Sequence, residues 1–121
     1  MGVIDGWPKP VLGSRTGAEP EPPRKADNGK PRWDLLPFDA LDEVAAVLAH
    51  GAVKYSDRNW EKGLAWGRIA AALLRHLAAW MRGIELDHES GHHHLAHVGA
   101  CALMLLATVQ RKIGVDDRRL R

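Results

Sequence analysis

The chain of 121 residues has one cysteine, one tyrosine and one phenylalanine. A lone thiol, Cys101, excludes an internal disulfide and fits a reducing compartment. Long apolar runs are missing as well. The longest, Leu95 to Val109, is about 15 residues, short of the roughly 20 that a membrane-spanning helix needs, and it suits a buried helix instead. The start, Met1 to Trp7, lacks a basic stretch followed by an apolar one. No secretory signal is therefore expected, and the cytoplasm is the expected location. No alternating segment marks a strand, and no internal repeat is visible. Strong charge of one sign is also absent: the net charge is +2 and the pI is about 8.9. Such a mildly basic balance is far from that of a nucleic-acid-coating protein. Arg111, Lys112, Arg118, Arg119 and Arg121 crowd the end, but Asp116 and Asp117 interrupt them. They read as a solvated helix end that complements the helix dipole.

What remains suits one small all-α domain. Residues 1–28 carry most of the prolines and no apolar period, which predicts an extended or disordered arm. A helical domain is expected over 29–114, followed by a charged tail over 115–121. The first helix should start at Asp39 as N-cap and end near Tyr55, with Leu41, Val44, Ala45, Leu48 and Ala52 in one apolar stripe. Gly51 stands as a candidate interruption. A second helix is expected over 66–82, with Gly83 as its cap, and a third over 92–112, stopped by Gly114. Three helices make a thin core, so a homo-oligomer (a dimer or tetramer) is expected to complete the bundle.

The chemistry lies in seven histidines, five of them between Asp87 and Val98. His76 falls in the set Leu73, His76, Leu77, Trp80, on the apolar face of its helix. His94 and His97 are three apart and share a face of the third helix, and Cys101 continues that line. Imidazoles on a buried helix need partners, since an unpaired buried polar group costs about 1–3 kcal/mol. A divalent cation meets that need. Imidazole suits zinc, manganese, iron, cobalt or nickel better than magnesium.

Asp87 and Glu89 precede the pair as further ligands, as partners of a ligating ring, or as the base that activates water. Capping of the third helix is the plainer role for Glu89 and Ser90. His88, His92 and His93 are expected to be solvated. The candidate metal set is thus His76, Asp87, Glu89, His94 and His97. Glu43, His50 and Lys54 share the polar face of the first helix and are candidates to close the site.

Several segments occur in a telling order: Gly29-Lys30-Pro31-Arg32-Trp33-Asp34-Leu35-Leu36-Pro37, Gly51-Ala52-Val53-Lys54-Tyr55, Asn59-Trp60, Arg75-His76-Leu77, and Asp87 through His97. Together they resemble the phage-associated dATP/dGTP diphosphohydrolase N-terminal domain family, itself similar to the all-α nucleotide pyrophosphohydrolases of the MazG type. The resemblance implies cleavage of a purine deoxynucleoside triphosphate to the monophosphate and pyrophosphate, with a divalent ion (manganese, magnesium, zinc or cobalt) as cofactor. It implies Glu89 or Glu43 as the catalytic carboxylate that positions water. Lys30, Arg32, Lys54 and Arg75 would neutralise the triphosphate, Tyr55 or Trp60 would stack on the base, and Asn59 would read its edge. Where MazG-type enzymes carry Glu-x-x-Asp, this chain has His94-Leu95-Ala96-His97, and Cys101 stands where asparagine is expected.

Three other readings stay open on the residues alone. One is a histidine–carboxylate phosphohydrolase with other products, although its usual His-Asp pair is reversed here as Asp87-His88. Another is a non-catalytic nucleic-acid-binding phage protein, suggested by the basic pI, five tryptophans and arginine-rich end. The third is a structural metal that only staples the hairpin.

Overall fold

A computed structural model describes residues 19–119. Most of the proline-rich arm (residues 1–18) and the last two residues of the charged tail, Leu120 and Arg121, lie outside the described residues. The chain divides into two units, Met1–Pro31 and Arg32–Arg121. The first has no helix or strand among its described residues; in it the Lys30 N–H donates to the Asp27 carbonyl at 3.0 Å.

The second unit is all-α. A short turn of 3-10 helix over Trp33–Leu35 leads into α1 (Phe38–Lys54). A second such turn, Asn59–Lys62, precedes α2 (Trp66–Met81), and α3 (His94–Arg111) follows. No strand forms among the described residues, only two isolated bridges, Ala65 with Val115 and Leu86 with His93.

Helix α1 begins two residues earlier than the sequence suggests. Pro37, not Asp39, takes the N-cap position, and its carbonyl accepts from the Leu41 N–H at 3.0 Å. Proline suits a helix start because its missing N–H costs nothing there. Asp39 sits inside the first turn, where its charge still complements the dipole. Gly51 does not interrupt α1.

Helix α3 also differs from expectation at its start. The N-cap is His93: its Nδ1 accepts from the Leu95 N–H at 3.0 Å, and its Nε2–H donates to Glu85 Oε2 at 2.6 Å. His93 is therefore a structural cap, and its side chain, 35% exposed, is solvated only in part. At the other end Lys112 adopts a left-handed conformation, and the Ile113 N–H returns to the Thr108 carbonyl at 2.9 Å. Gly114 follows with φ +82°, and a Cβ there would stand 2.2 Å from the Leu64 carbonyl oxygen. Only glycine fits that approach.

Helices α2 and α3 form an antiparallel hairpin. The Trp66 indole N–H donates to the Ile113 carbonyl at 2.8 Å at one end, and His76 meets His94 at the other. The residues after α3 return to the start of α2. The Trp66 N–H donates to Val115 O at 3.0 Å, and the Gly67 N–H to Asp117 Oδ1 at 2.7 Å, which satisfies a helix donor otherwise left free. Helix α1 packs on α3 where the latter is small: Val44 and Val47 meet Ala96 and Ala100, and Gly99 gives Val44 room.

The buried apolar set is short, comprising Val47, Ile69, Ala96, Ala100 and Cys101. Leu103, Leu106 and Val109 of α3 stay exposed, so this helix is central toward α1 and α2 but open on its remaining side. No described helix is long and apolar enough to cross a membrane.

Candidate metal site

The two imidazoles contributed by the hairpin come together because α2 and α3 run antiparallel. His76, five residues before the end of α2, faces the first turn of α3. His76 Nδ1 and His94 Nδ1 lie 2.8 Å apart. Two neutral imidazoles at that distance must share a proton, one ring donating and the other accepting. His94 is buried, at 6% exposure.

The loop between the helices supplies the acid. The Asp87 N–H donates to the His92 carbonyl and the Gly91 N–H to the Asp87 carbonyl, each at 2.8 Å, closing a tight turn. Inside it the Ser90 N–H donates to Asp87 Oδ2 at 2.8 Å. Ligand atoms of His76, Asp87 and His94 all fall within 4.8 Å of one another.

Protonation states match the geometry. Burial pushes the His76 imidazole below its ordinary value. Burial, with neighbouring His76 adding to it, pushes His97 down to about 4. For Asp87, burial alone would raise the carboxyl, but the Ser90 hydrogen bonds and the nearby rings outweigh it and hold it low. At neutral pH His76 and Asp87 therefore offer a neutral imidazole and an ionised carboxylate, the states that a cation requires of its ligands. A divalent ion that replaces the shared proton would meet two nitrogen donors and one oxygen, a mixture that suits zinc, manganese or cobalt. The residues present fit such a group.

His97 stands beside this trio without belonging to it. Its ring stacks on His76, centroids 4.1 Å apart with 8° between planes. Its Nε2 is engaged by Ser90 Oγ at 2.7 Å and lies 3.7 Å from Asp87 Oδ2. Glu89 also falls outside the trio, because it turns to Lys54 of α1 and forms an ion pair there. Lys54 in turn holds the Glu89 carboxyl below its usual range. The first helix thus meets the loop through two contacts, Lys54 with Glu89 and His50 with His92, whose ring centroids lie 6.1 Å apart. His92 is half-buried against this cluster and not solvated as expected; His88 is exposed.

The phosphate and base candidates scatter more. Lys54 and Tyr55 adjoin the loop, with the Lys54 ammonium 5.2 Å from the Tyr55 ring centre. Arg75 is exposed, one residue before His76. Glu43 lines an apolar groove of about 470 Å3 together with Val44, Leu86, His92 and Leu95. Arg32 is turned away to its own neighbour, forming a two-pronged pair with Asp34 at 2.8 Å on each arm. Asn59 and Trp60 are not brought to the histidines. Arg111, in the last turn of α3, covers the Trp60 ring at 5.5 Å and pairs with Glu61 at 3.2 Å. His97 and Arg111 are roughly 20 Å apart along the helix axis.

Sequence reasoning overlooked Ser90 as a site residue, having read it as a cap. The Asp-x-x-Ser spacing was the available signal, since an aspartate commonly accepts from a backbone N–H just ahead of it in such turns.

The sequence matches the family described as dATP/dGTP diphosphohydrolase, N-terminal, over residues 20–118. The chain belongs to the dATP/dGTP diphosphohydrolase N-terminal family. It is also similar to a protein of Salmonella phage PMBT28 named dATP/dGTP diphosphohydrolase, with 35% identity over 95 residues. That match covers 78% of this chain and 32% of the phage protein, so the chain spans about one third of the length of this relative. No solved structure matches the chain. The family match takes in α1, α2, α3 and the loop that carries Asp87 and Ser90.

Proposed function

We propose that this chain is a metal-dependent nucleotide pyrophosphohydrolase that converts a purine deoxynucleoside triphosphate, dATP or dGTP, to the monophosphate and pyrophosphate. The observation that carries the reading is the convergence of His76, Asp87 and His94 within 4.8 Å at one end of the hairpin. The family and the phage relative's name supply the substrate class.

In this reading His76, Asp87 and His94 hold the ion, and His97 backs His76. A bound divalent ion would polarise phosphate oxygens and make a nearby water more acidic. Glu89, anionic at neutral pH, accepts a proton from the attacking water. Lys54 lies in the same contact and offers its ammonium to the phosphates as a point charge, and Arg75 offers a planar fork. Asp34 already occupies the Arg32 fork, so Arg32 serves the substrate only by leaving that pair.

The base has no platform at Trp60, which sits at the opposite end of α3. The groove beside His92 is an alternative: its apolar walls suit a purine face, and Glu43 offers an acceptor to the edge. We further assign the protein to the host cytoplasm, following the phage relative. A homo-oligomer is supported by the exposed Leu103, Leu106 and Val109 of α3.

The experiment is a panel of nucleoside triphosphates incubated with purified protein and manganese, magnesium, zinc or cobalt, with the products separated. Monophosphate plus pyrophosphate is the expected outcome. Release of tripolyphosphate or inorganic phosphate overturns the proposed reaction, and no turnover combined with unfolding on chelation makes the metal a staple only.

A further inference from the structure

We infer that Ser90 is a positioning residue that holds the metal-binding trio in shape from two sides. The inference rests on the metal site proposed above and adds a residue to it. Three observations converge on this residue. The Ser90 N–H donates to Asp87 Oδ2 at 2.8 Å and so fixes which way the carboxylate faces. The Ser90 hydroxyl pairs with His97 Nε2 at 2.7 Å. That hydroxyl is itself aimed, because it accepts from the His92 N–H at 3.2 Å.

The second contact reaches the metal site through stacking. His97 lies flat on His76, so a ring that Ser90 stops from rotating leaves His76 one plane to occupy. Ser90 therefore orders two proposed ligands: Asp87 through its backbone N–H, with the hydroxyl adding to the hold on that carboxylate, and His76 through His97. Groups of this kind around a metal raise affinity by restricting the ligands before the ion arrives, and their loss typically costs 10–100-fold in affinity.

The arrangement is not a catalytic triad. Asp87 approaches the same nitrogen, Nε2, that Ser90 uses, at 3.7 Å, and so it does not orient the ring from the far side. The serine is left with a holding role.

The test separates the hydroxyl from the backbone. Ser90→Ala removes the hydroxyl's contacts to His97 and Asp87 and keeps the N–H that pins Asp87, whereas Ser90→Thr keeps both hydroxyl and N–H. Cobalt(II) is titrated into wild type and both variants after chelator treatment, following the cobalt absorption bands and the heat of binding. Circular dichroism of the metal-free proteins reports helix content. The expected result is cobalt binding weakened roughly 10–100-fold in Ser90→Ala with unchanged helicity, and recovered in Ser90→Thr. Wild-type affinity in Ser90→Ala overturns the inference and leaves the metal site standing. Failure of wild type to take up cobalt overturns both.

Discussion

His76 and His97 lie face to face, ring centroids 4.1 Å apart and nearly parallel, although 21 residues separate them in the chain. The stack fills the side of His76 that His94 does not. One nitrogen of His76 is thereby left to face His94 and Asp87, and the ring cannot tilt without moving His97 and the loop behind it.

The ligand assignment predicts a sharp division among the histidines. His94→Ala and His76→Ala should each lower turnover more than about a hundredfold and abolish tight cobalt binding, since each removes a donor outright. His88→Ala, at an exposed loop position, should leave both within about twofold of wild type. Equal losses in all three, measured by metal titration and product formation, would refute the trio.

Glu89 and Asp87 should separate cleanly. Glu89→Gln is expected to lower kcat about 100-fold or more, in the range of a lost general base, while metal affinity stays within a few fold. Asp87→Asn should lose metal first. If Lys54 serves the triphosphate as proposed, Lys54→Met should mainly raise KM. A Glu89→Gln enzyme with normal kcat would move the water to Glu43.

Metal-free protein should lose stability on mild acidification. His97 titrates at about 4 in the fold against an ordinary 6.5, and His76 is also lowered, both chiefly through burial. Between about 4 and 6.5 the unfolded chain therefore binds protons that the native chain refuses. Stability rises with pH across that window and the contribution levels off above it. Urea unfolding at stepped pH in chelator reads this directly. His97→Phe, which keeps a ring in the stack, should flatten the slope.

Gly114→Ala should destabilise the hairpin without touching the metal site. The new Cβ meets the Leu64 carbonyl oxygen at 2.2 Å on a backbone with φ +82°. Positive φ and overpacking together suggest a loss of about 2–4 kcal/mol. Denaturant midpoints should fall, while cobalt affinity of the folded fraction should remain near wild type.

The open face of α3 predicts self-association. Leu106→Arg places a charge on a stripe whose members Leu103 and Leu106 are about half exposed in the single chain. Light scattering should show a smaller assembly than wild type. An unchanged mass would assign that face to another partner or leave it bare.

Much of the architecture was legible because helix signals are local. The period of Leu73, His76, Leu77 and Trp80 marks α2, and Gly83 and Gly114 stand where the chain must leave a helix. Boundaries were less legible. Asp39 is an ordinary N-cap residue, yet Pro37 takes the position, and His93 caps α3 through a ring nitrogen that no simple capping rule anticipates. The site was half visible. His94 and His97 share a face by spacing alone, but spacing does not reveal that Ser90 engages the second ring and leaves the first for His76.

By itself the sequence determined an all-α chain with most of its histidines around one hairpin, because periodicity and capping act over three or four residues. Tertiary structure alone decided which of those groups meet. It chose Asp87 over Glu89, drew Lys54 to the loop, and left Trp60 at the far end of α3. Those outcomes depend on the turn at 87–92 and on how three helices pack, and contacts between residues distant in the chain carry no local signature.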